Sequence, residues 1–275
     1  WMREFIWQGL HFICGRNPVS PDKRLRGSVL SGCGLRCCFC QNHDIAIGSR
    51  GRAVSVERLG EIFLELKEKG AANINLVTGA HYVPQIIEAL DMARRKGLDI
   101  PVVYNSSGYE KTETLKLLEG YVDIYLPDLK YLDPELAQKF SNASDYVQAA
   151  KAAIGEMVRQ TGKCEFGEDG YIRKGTIVRH LILPGHTGNS IKALRYLHET
   201  CGEDIYISIM NQYTPVRKFV EFKELNRKVT KREYEKVLDA AVDMGIQNGF
   251  IQEGETASES FIPDFDYEGV EKNTP

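Results

Sequence analysis

Arg26-Gly-Ser-Val-Leu-Ser-Gly-Cys-Gly-Leu-Arg-Cys-Cys-Phe-Cys40 runs from a short strand-like stretch, Arg26–Ser31, straight into a loop that carries Cys33, Cys37, Cys38 and Cys40. Cys33, Cys37 and Cys40 have the spacing C-x3-C-x2-C, with Phe39 just before the third cysteine. Three thiolates suit a cubane of four irons, because they hold three corners and leave one iron open for a substrate or cofactor. A zinc site would instead show paired ligands and a second pair at a distance. Here no second pair exists, and a zinc reading must recruit the crowded Cys38 or the nearby His43.

Outward from this loop, strand-like and helix-like stretches alternate. Ser55 is placed to cap a helix over Val56–Lys69, with Leu59, Ile62, Phe63 and Leu66 at helical spacing and Gly70 as its stop. Helices are also predicted from near Pro84 to Lys96, and over Glu110–Leu118, Pro134–Phe140, Asp145–Gln160, Ile191–Thr200 and Lys231–Met244. Strands are predicted over Asn73–Val77, Pro101–Tyr104, Tyr121–Leu126, Thr176–Leu183 and Asp204–Met210, with Ile246–Ile251 as a candidate last strand. The polar segment Gly162–Lys174 reads as a surface turn or hairpin.

Alternation without a break in composition predicts parallel strands joined by helical crossovers. The fold class is α/β, a partial (β/α)6 TIM-like barrel over residues 26–251, between an extension at 1–25 and a tail at 252–275. In such folds chemistry gathers at the C-terminal ends of the strands. The tail, acidic and Pro-containing, is expected to be loosely packed or extended.

The 275 residues are 43% hydrophobic and 27% charged, ordinary composition for one large domain. A net charge of -3 points away from nucleic-acid and membrane surfaces. The longest apolar runs are strand-sized, too short to span a bilayer. Trp1-Met-Arg-Glu-Phe5 has no basic region leading into an apolar run, so it reads as a truncated or processed start and not as a secretory signal. The seven cysteines are odd in number and four are crowded, which fits reduced cytoplasmic thiols used as metal ligands better than a disulfide framework. Cys164 and Cys201 are isolated and read as incidental, while Cys14 has no assigned role.

Ser31-Gly-Cys-Gly-Leu-Arg-Cys-Cys-Phe-Cys-Gln-Asn42 resembles the signature of radical S-adenosylmethionine (SAM) enzymes, and in particular the group similar to the pyruvate formate-lyase activating enzyme. Asn75-Leu-Val-Thr-Gly79, Val83-Pro-Gln-Ile-Ile87, Tyr104-Asn-Ser-Ser-Gly-Tyr109, Asp123-Ile-Tyr-Leu-Pro-Asp-Leu-Lys130 and Arg179-His-Leu-Ile-Leu-Pro-Gly185 extend the likeness over about residues 26 to 245. The resemblance implies a [4Fe-4S] cluster on Cys33, Cys37 and Cys40. It also implies S-adenosylmethionine chelated to the open iron, and its reductive cleavage to methionine and a 5′-deoxyadenosyl radical that takes a hydrogen atom from substrate. Flavodoxin or ferredoxin is the electron donor it implies, and a glycyl radical enzyme is the candidate protein substrate.

The resemblance also assigns positions. Phe39 would lie near the adenine. Thr78-Gly79 would meet the methionine amino group, although the Glu usual in this family is absent and His81 stands just beyond. Asn105-Ser106 and Asp128 would border the methionine carboxylate, beside a candidate monovalent cation. Asn105 replaces an Asp there, so one anionic ligand for that cation is missing. Lys130 has the charge to meet the carboxylate or to pair with Asp128. Arg179 and His180 point to opposite faces of their strand, so one of them faces the interior. Met210 and Gln212 would contact adenine and ribose, and Pro184-Gly185 would allow close backbone approach. Asn42 and Asp44 would face the substrate side of the cluster or cap the loop.

Ser55 follows Cys40 by only fifteen positions, so no ferredoxin-like insertion separates the cysteine loop from the first long helix. Three other readings stay open: a radical enzyme acting on a small molecule, an iron–sulfur redox or sensor protein without radical chemistry, and a zinc-stabilised structural protein.

Overall fold

The protein was studied as a computed structural model, which describes residues 5–8, 27–48, 51 and 53–251. Cys14, most of the N-terminal extension and the tail Gln252–Pro275 lie outside the described residues. The element order is β1 (Phe5–Gln8), β2 (Gly27–Leu30), α1 (His43–Ala46), α2 (Val56–Glu68), β3 (Ile74–Val77), α3 (Val83–Arg95), β4 (Val102–Ser106), α4 (Thr112–Lys116), β5 (Ile124–Pro127), α5 (Pro134–Ser141), α6 (Tyr146–Thr161), β6 (Glu165–Phe166), β7 (Ile172–Leu181), α7 (Thr187–Cys201), β8 (Ile205–Met210), α8 (Lys231–Asp243) and β9 (Gly249–Ile251).

Strands β2, β3, β4, β5, β7, β8 and β9 pair in that order, all parallel, and the sheet does not return from β9 to β2. This is the expected partial barrel, left open. β1 lies antiparallel against β2 at one edge. The segment read as a hairpin is one: β6 folds back antiparallel onto the start of β7, which therefore begins at Ile172, four residues before the expected Thr176. The six crossovers all contain helices, three of which start where a side chain satisfies a free N–H group. Ser55 Oγ accepts from Arg58 N at α2, and Thr230 with Glu233 forms a capping box at α8.

Alternation along the strands sorts the interior from the helix-facing layer. On β4, Val102 and Tyr104 join the core under α2, α3 and α6, whereas Val103 turns inward. Val103, Ile124, Leu126, Ile172 and Ile177 form an apolar floor inside the curved sheet, with Cys164, Tyr206 and Phe250 packed against it. Near the C-terminal ends the interior becomes polar: Asn105 lies beside Leu126, and Asp128 bridges to Arg179, which lies beside Ser208.

The turn after β4 is tight. Gly108 has φ +76°, and a Cβ there would lie 2.2 Å from the carbonyl oxygen of Asp128. Backbone cannot yield as a flexible side chain would, and left-handed φ adds its own cost for any L residue. Gly108→Ala is expected to lower the stability of the metal-free protein by more than about 2 kcal/mol. Chemical unfolding of the two proteins side by side checks this, and a wild-type midpoint would refute it.

Candidate active site

The cysteine loop leaves β2 at Ser31 and is held from two directions. From its own far end, Ile45 and Ala46 of α1 accept from Gly32 N and Cys33 N at 2.9 Å each. From the last turn of α5, Ser141 O accepts from Arg36 N at 3.3 Å and Phe140 O from Cys38 N at 2.7 Å. A helix C-terminus has free carbonyls to offer, and here the loop's N–H groups take them. Ser141 Oγ also stands 3.0 Å from Cys37 Sγ.

Burial pushes the Cys37 thiol up, and the Lys130 ammonium opposes it. Burial and the Cys37 sulfur raise Cys40 to about 11, with Cys33 adding to the effect and Lys130 again opposing it. Cys38 is also raised to about 11 by burial and by Cys37, but its other charged neighbours are Arg217 and Glu224. Cys37 and Cys40 thus lie in the fields of Cys33 and Lys130, and Cys38 in those of Cys37, Arg217 and Glu224. A cavity of about 130 Å³ beside the loop is lined by Cys37, Cys38, Cys40, Arg36 and Arg217, and not by Cys33. Among the described residues no three His, Cys, Asp or Glu side chains close on a single ion position. A cubane does not ask for that, because its three cysteines bind three different irons.

Asp128, Lys130, Asn105 and Arg179 come together next to this loop. Lys130 Nζ is 2.5 Å from Asp128 Oδ2, and Arg179 Nη2 is 2.7 Å from Asp128 Oδ1. The same Arg179 nitrogen donates to Asn105 Oδ1 at 2.7 Å. Asp128 would be raised by burial, but Arg179 and Lys130 hold it below the usual carboxylate range. Burial also disfavours the Lys130 charge, and Asp128 more than restores it. Each Asp128 oxygen already faces a cation, so a bound monovalent ion there would have to displace one.

Other expected positions lie elsewhere. His180 is fully buried on the outer face of β7, between Leu129 O at 2.6 Å and Ser190 Oγ at 2.9 Å, and burial lowers it to about 4. Arg179 is thus the inward member of the pair. Ser106 also faces outward, donating to Glu110 Oε1 at 2.8 Å. Gly79 is packed into the core, where a Cβ would lie 2.9 Å from Ile86 and from Tyr104. Thr78 is in the left-handed region at φ 57°, an outlier for a β-branched residue, tied by its hydroxyl to Leu30 O. His81 is exposed, its ring packed over Gly32. Phe39 is buried edge-on to Tyr213 at 6.0 Å. Met210 and Gln212 adjoin at the end of β8, with 3.7 Å between Gln212 Nε2 and Met210 Sδ. His43 and Asp44 are exposed and 3.6 Å apart.

Several buried side-chain acceptors among the described residues have no hydrogen-bond partner, Gln85 Oε1 and Thr214 Oγ1 among them. Asn42 Oδ1 is one, and Asn42 makes no side-chain cap to α1 despite its N-cap position. Asn75 Oδ1, on β3 in register with Val103 of the floor, is another. Buried acceptors of this kind are what an ammonium or amide of a bound cofactor would satisfy.

Residues 28–197 match the family model described as the Radical SAM superfamily. The chain belongs to this superfamily. Radical SAM membership implies a [4Fe-4S] cluster and S-adenosylmethionine. The chain is 27% identical, over 217 residues, to an uncharacterized protein of Methanocaldococcus jannaschii, an alignment covering 76% of this chain and 60% of that one. It thus spans about three-fifths of that relative's length. Three solved structures share the fold at low identity. SuiB of Streptococcus suis, bound to precursor peptide SuiA, gives a TM-score of 0.54 at 14% identity, covering 82% of this chain and 47% of that one. A radical SAM methyltransferase from Sphaerobacter thermophilus gives 0.56 at 12%, covering 82% and 66%. The third, anSMEcpe with bound AdoMet, gives 0.54 at 13%, covering 82% and 58%.

Tyr131, Ser141, Tyr146 and Glu110 were not singled out from the sequence. Tyr146 Oη accepts from Lys130 N at 2.9 Å and lies within 3.0 Å of the carbonyl oxygens of Ser107 and Asp128, so it fixes the strand end that carries the cation pair. Glu110 is a buried carboxyl raised to about 7 by desolvation, despite hydrogen bonds from Ser106 and Tyr104. A carboxyl raised in the folded state holds its proton where the unfolded chain has lost it. Its contribution to stability is therefore complete below about pH 4.5 and disappears as pH rises through 7. His180 acts oppositely: lowered to about 4, it adds stability that is complete above 6.5 and lost as pH falls toward 4. Wild-type stability minus that of Glu110→Gln should therefore fall by up to about 3 kcal/mol as pH rises across this window. Denaturant titrations of both metal-free proteins at several pH values measure it, and a difference independent of pH would refute it.

Proposed function

We propose that this chain is a radical SAM enzyme that holds a [4Fe-4S] cluster on Cys33, Cys37 and Cys40 and positions S-adenosylmethionine over the open iron. The observation that carries the reading is the meeting of two parts. The loop that carries Cys33, Cys37 and Cys40 is held by α1 and α5, and beside it Asp128, Lys130 and Arg179 form a trio of two cations and one carboxylate, net +1. A net positive, largely buried trio favours the carboxylate of an amino acid. The unsatisfied oxygen of Asn42, two positions past Cys40, supplies an acceptor of the kind its ammonium or the adenine amine needs. When bound and reduced, the cluster supplies the electron that cleaves S-adenosylmethionine to methionine and the radical that takes hydrogen from substrate.

The chain's own residues provide position and charge. Lys130 lowers the cost of thiolate formation at Cys37 and Cys40. Asp128 aims Arg179 and Lys130, and Asn105 fixes the guanidinium from β4, two strands away from β7. The substrate is read as the backbone glycine of a partner enzyme, and the electron donor as flavodoxin or ferredoxin. Support for the substrate is the series of strand ends resembling the pyruvate formate-lyase activating enzyme group. SuiB, which shares the fold, is bound to a precursor peptide, so the fold admits polypeptide substrates.

Anaerobic reconstitution tests the class. Cys38→Ala is expected to take up iron and sulfide like the wild type, while Cys33→Ala, Cys37→Ala and Cys40→Ala each lose SAM cleavage. One tightly held zinc with no iron uptake, or equal damage from all four, would overturn the assignment. Asp128→Asn is expected to keep its cluster while binding S-adenosylmethionine about tenfold more weakly, since it leaves two cations unaimed. Unchanged affinity by titration would remove Asp128 from the cofactor site. A glycyl-radical signal on a candidate partner supports the activase reading, and 5′-deoxyadenosine formed only with small molecules would refute that part alone.

A further inference from the structure

Ser141 and Tyr131 form a buried hydrogen-bonded pair that ends on a cluster cysteine. Ser141 Oγ is 3.0 Å from Cys37 Sγ, and Tyr131 Oη is 2.7 Å from Ser141 Oγ. Ser141 is 1% exposed and Tyr131 is fully buried, so water is not available to either. A serine hydroxyl has one proton. If that proton is spent on the sulfur, the tyrosine must donate to the serine, and the pair points as a chain from Tyr131 through Ser141 to Cys37.

The hydroxyl is not needed to dock the loop. The backbone bonds from Arg36 N to Ser141 O and from Cys38 N to Phe140 O already join α5 to it. Nor is Tyr131 free to turn. Its ring packs edge-on against Tyr146 with centroids 5.4 Å apart, and Tyr146 is itself bonded to the backbone of Ser107, Asp128 and Lys130. The donor aimed at the sulfur is thus braced by the same strand end that carries Asp128 and Lys130.

We infer that the Tyr131–Ser141 pair sets the electron affinity of the cluster, acting as positioning residues that hold a hydrogen bond on the Cys37 sulfur. This rests on the proposed three-cysteine cluster. Reduction adds one electron, drawn from a low-potential one-electron carrier, and neither forms nor breaks a bond. The added negative charge spreads onto the sulfurs, so a donor to one of them favours the reduced state and raises the potential. A hydrogen bond to a charged acceptor in a dry site is stronger than one to a neutral group, and a second donor behind it polarises it further.

The test is an anaerobic redox titration of the reconstituted protein with low-potential dyes, read by absorbance and by the paramagnetic signal of the reduced cluster. Ser141→Ala is expected to make reduction about tenfold less favourable, a downward shift of about 59 mV for a one-electron couple. Tyr131→Phe should shift it the same way by a smaller amount, and Ser141→Thr, which keeps the hydroxyl, should restore the wild-type value. Because Ser141→Ala leaves a buried tyrosine hydroxyl unpaired, the double variant Ser141→Ala/Tyr131→Phe is titrated as well, with iron and sulfide content and the unfolding midpoint recorded for each. It should keep the lowered potential even where its stability recovers. Wild-type potentials in variants carrying a full cluster would overturn this inference and leave the cluster reading intact. A wild-type chain that takes up no iron–sulfur cluster would overturn the cluster reading itself, and this inference with it.

Discussion

Asp128 is the point on which the site turns. A lone buried carboxylate is expensive, and so is a lone buried guanidinium or ammonium. Arg179 reaches Asp128 from β7 and Lys130 reaches it from the same strand end, so three groups that would each oppose folding instead fix one another. The bridge between Asp128 and Arg179 also extends the β5–β7 pairing beyond the last regular rung, at the height where the interior changes from apolar to polar. Gly108 is required by the same arrangement, since the turn after β4 runs directly against the Asp128 carbonyl.

The opposing requirements of floor and mouth explain the distribution of side chains. Below, Val103, Ile124, Leu126, Ile172 and Ile177 fill the curve of the sheet and exclude water. Above, the strand ends carry groups that hydrophobic burial alone would never place there. An open sheet of parallel strands tolerates this because its chemistry sits beyond the ladder, where loops can supply partners that the strands cannot. The left-handed Thr78 belongs to the same zone, its amide bonded to Asn105 O and its hydroxyl to Leu30 O, linking three adjacent strands at the mouth.

Much of this was legible in the sequence because it depends on local spacing. The cysteine spacing, the helix stops at glycines and the polar residues after each strand are one-dimensional signals, and strand alternation shows that Arg179 and His180 face opposite ways. Which of the two faces inward is not local, because it depends on the register of β7 against β5 and β8. Ser106 and His180 were expected near the cofactor for the same reason and stand on the helix side, each satisfied by the core. Tyr131, Ser141 and Tyr146 carry no motif at all. Ser141 meets Cys37 across 104 positions of sequence, and only the docking of α5 brings them together.

Lys130 links the proposed cofactor site to the cysteine loop. Its ammonium is bound to Asp128, yet it is also the largest electrostatic influence opposing the burial cost of the Cys37 thiolate. One charge therefore serves two neighbours of like sign. A cofactor carboxylate entering beside it would draw on the same cation that steadies the thiolates, raising the cost of adding an electron at the moment of binding. A hydrogen bond to Cys37 that does not pass through Lys130 relieves that conflict, because a neutral hydroxyl stabilises the sulfur without being drawn toward the carboxylate. On the proposed three-cysteine reading, the placement of Ser141 on α5 would give a cluster a source of stabilisation that cofactor binding leaves in place.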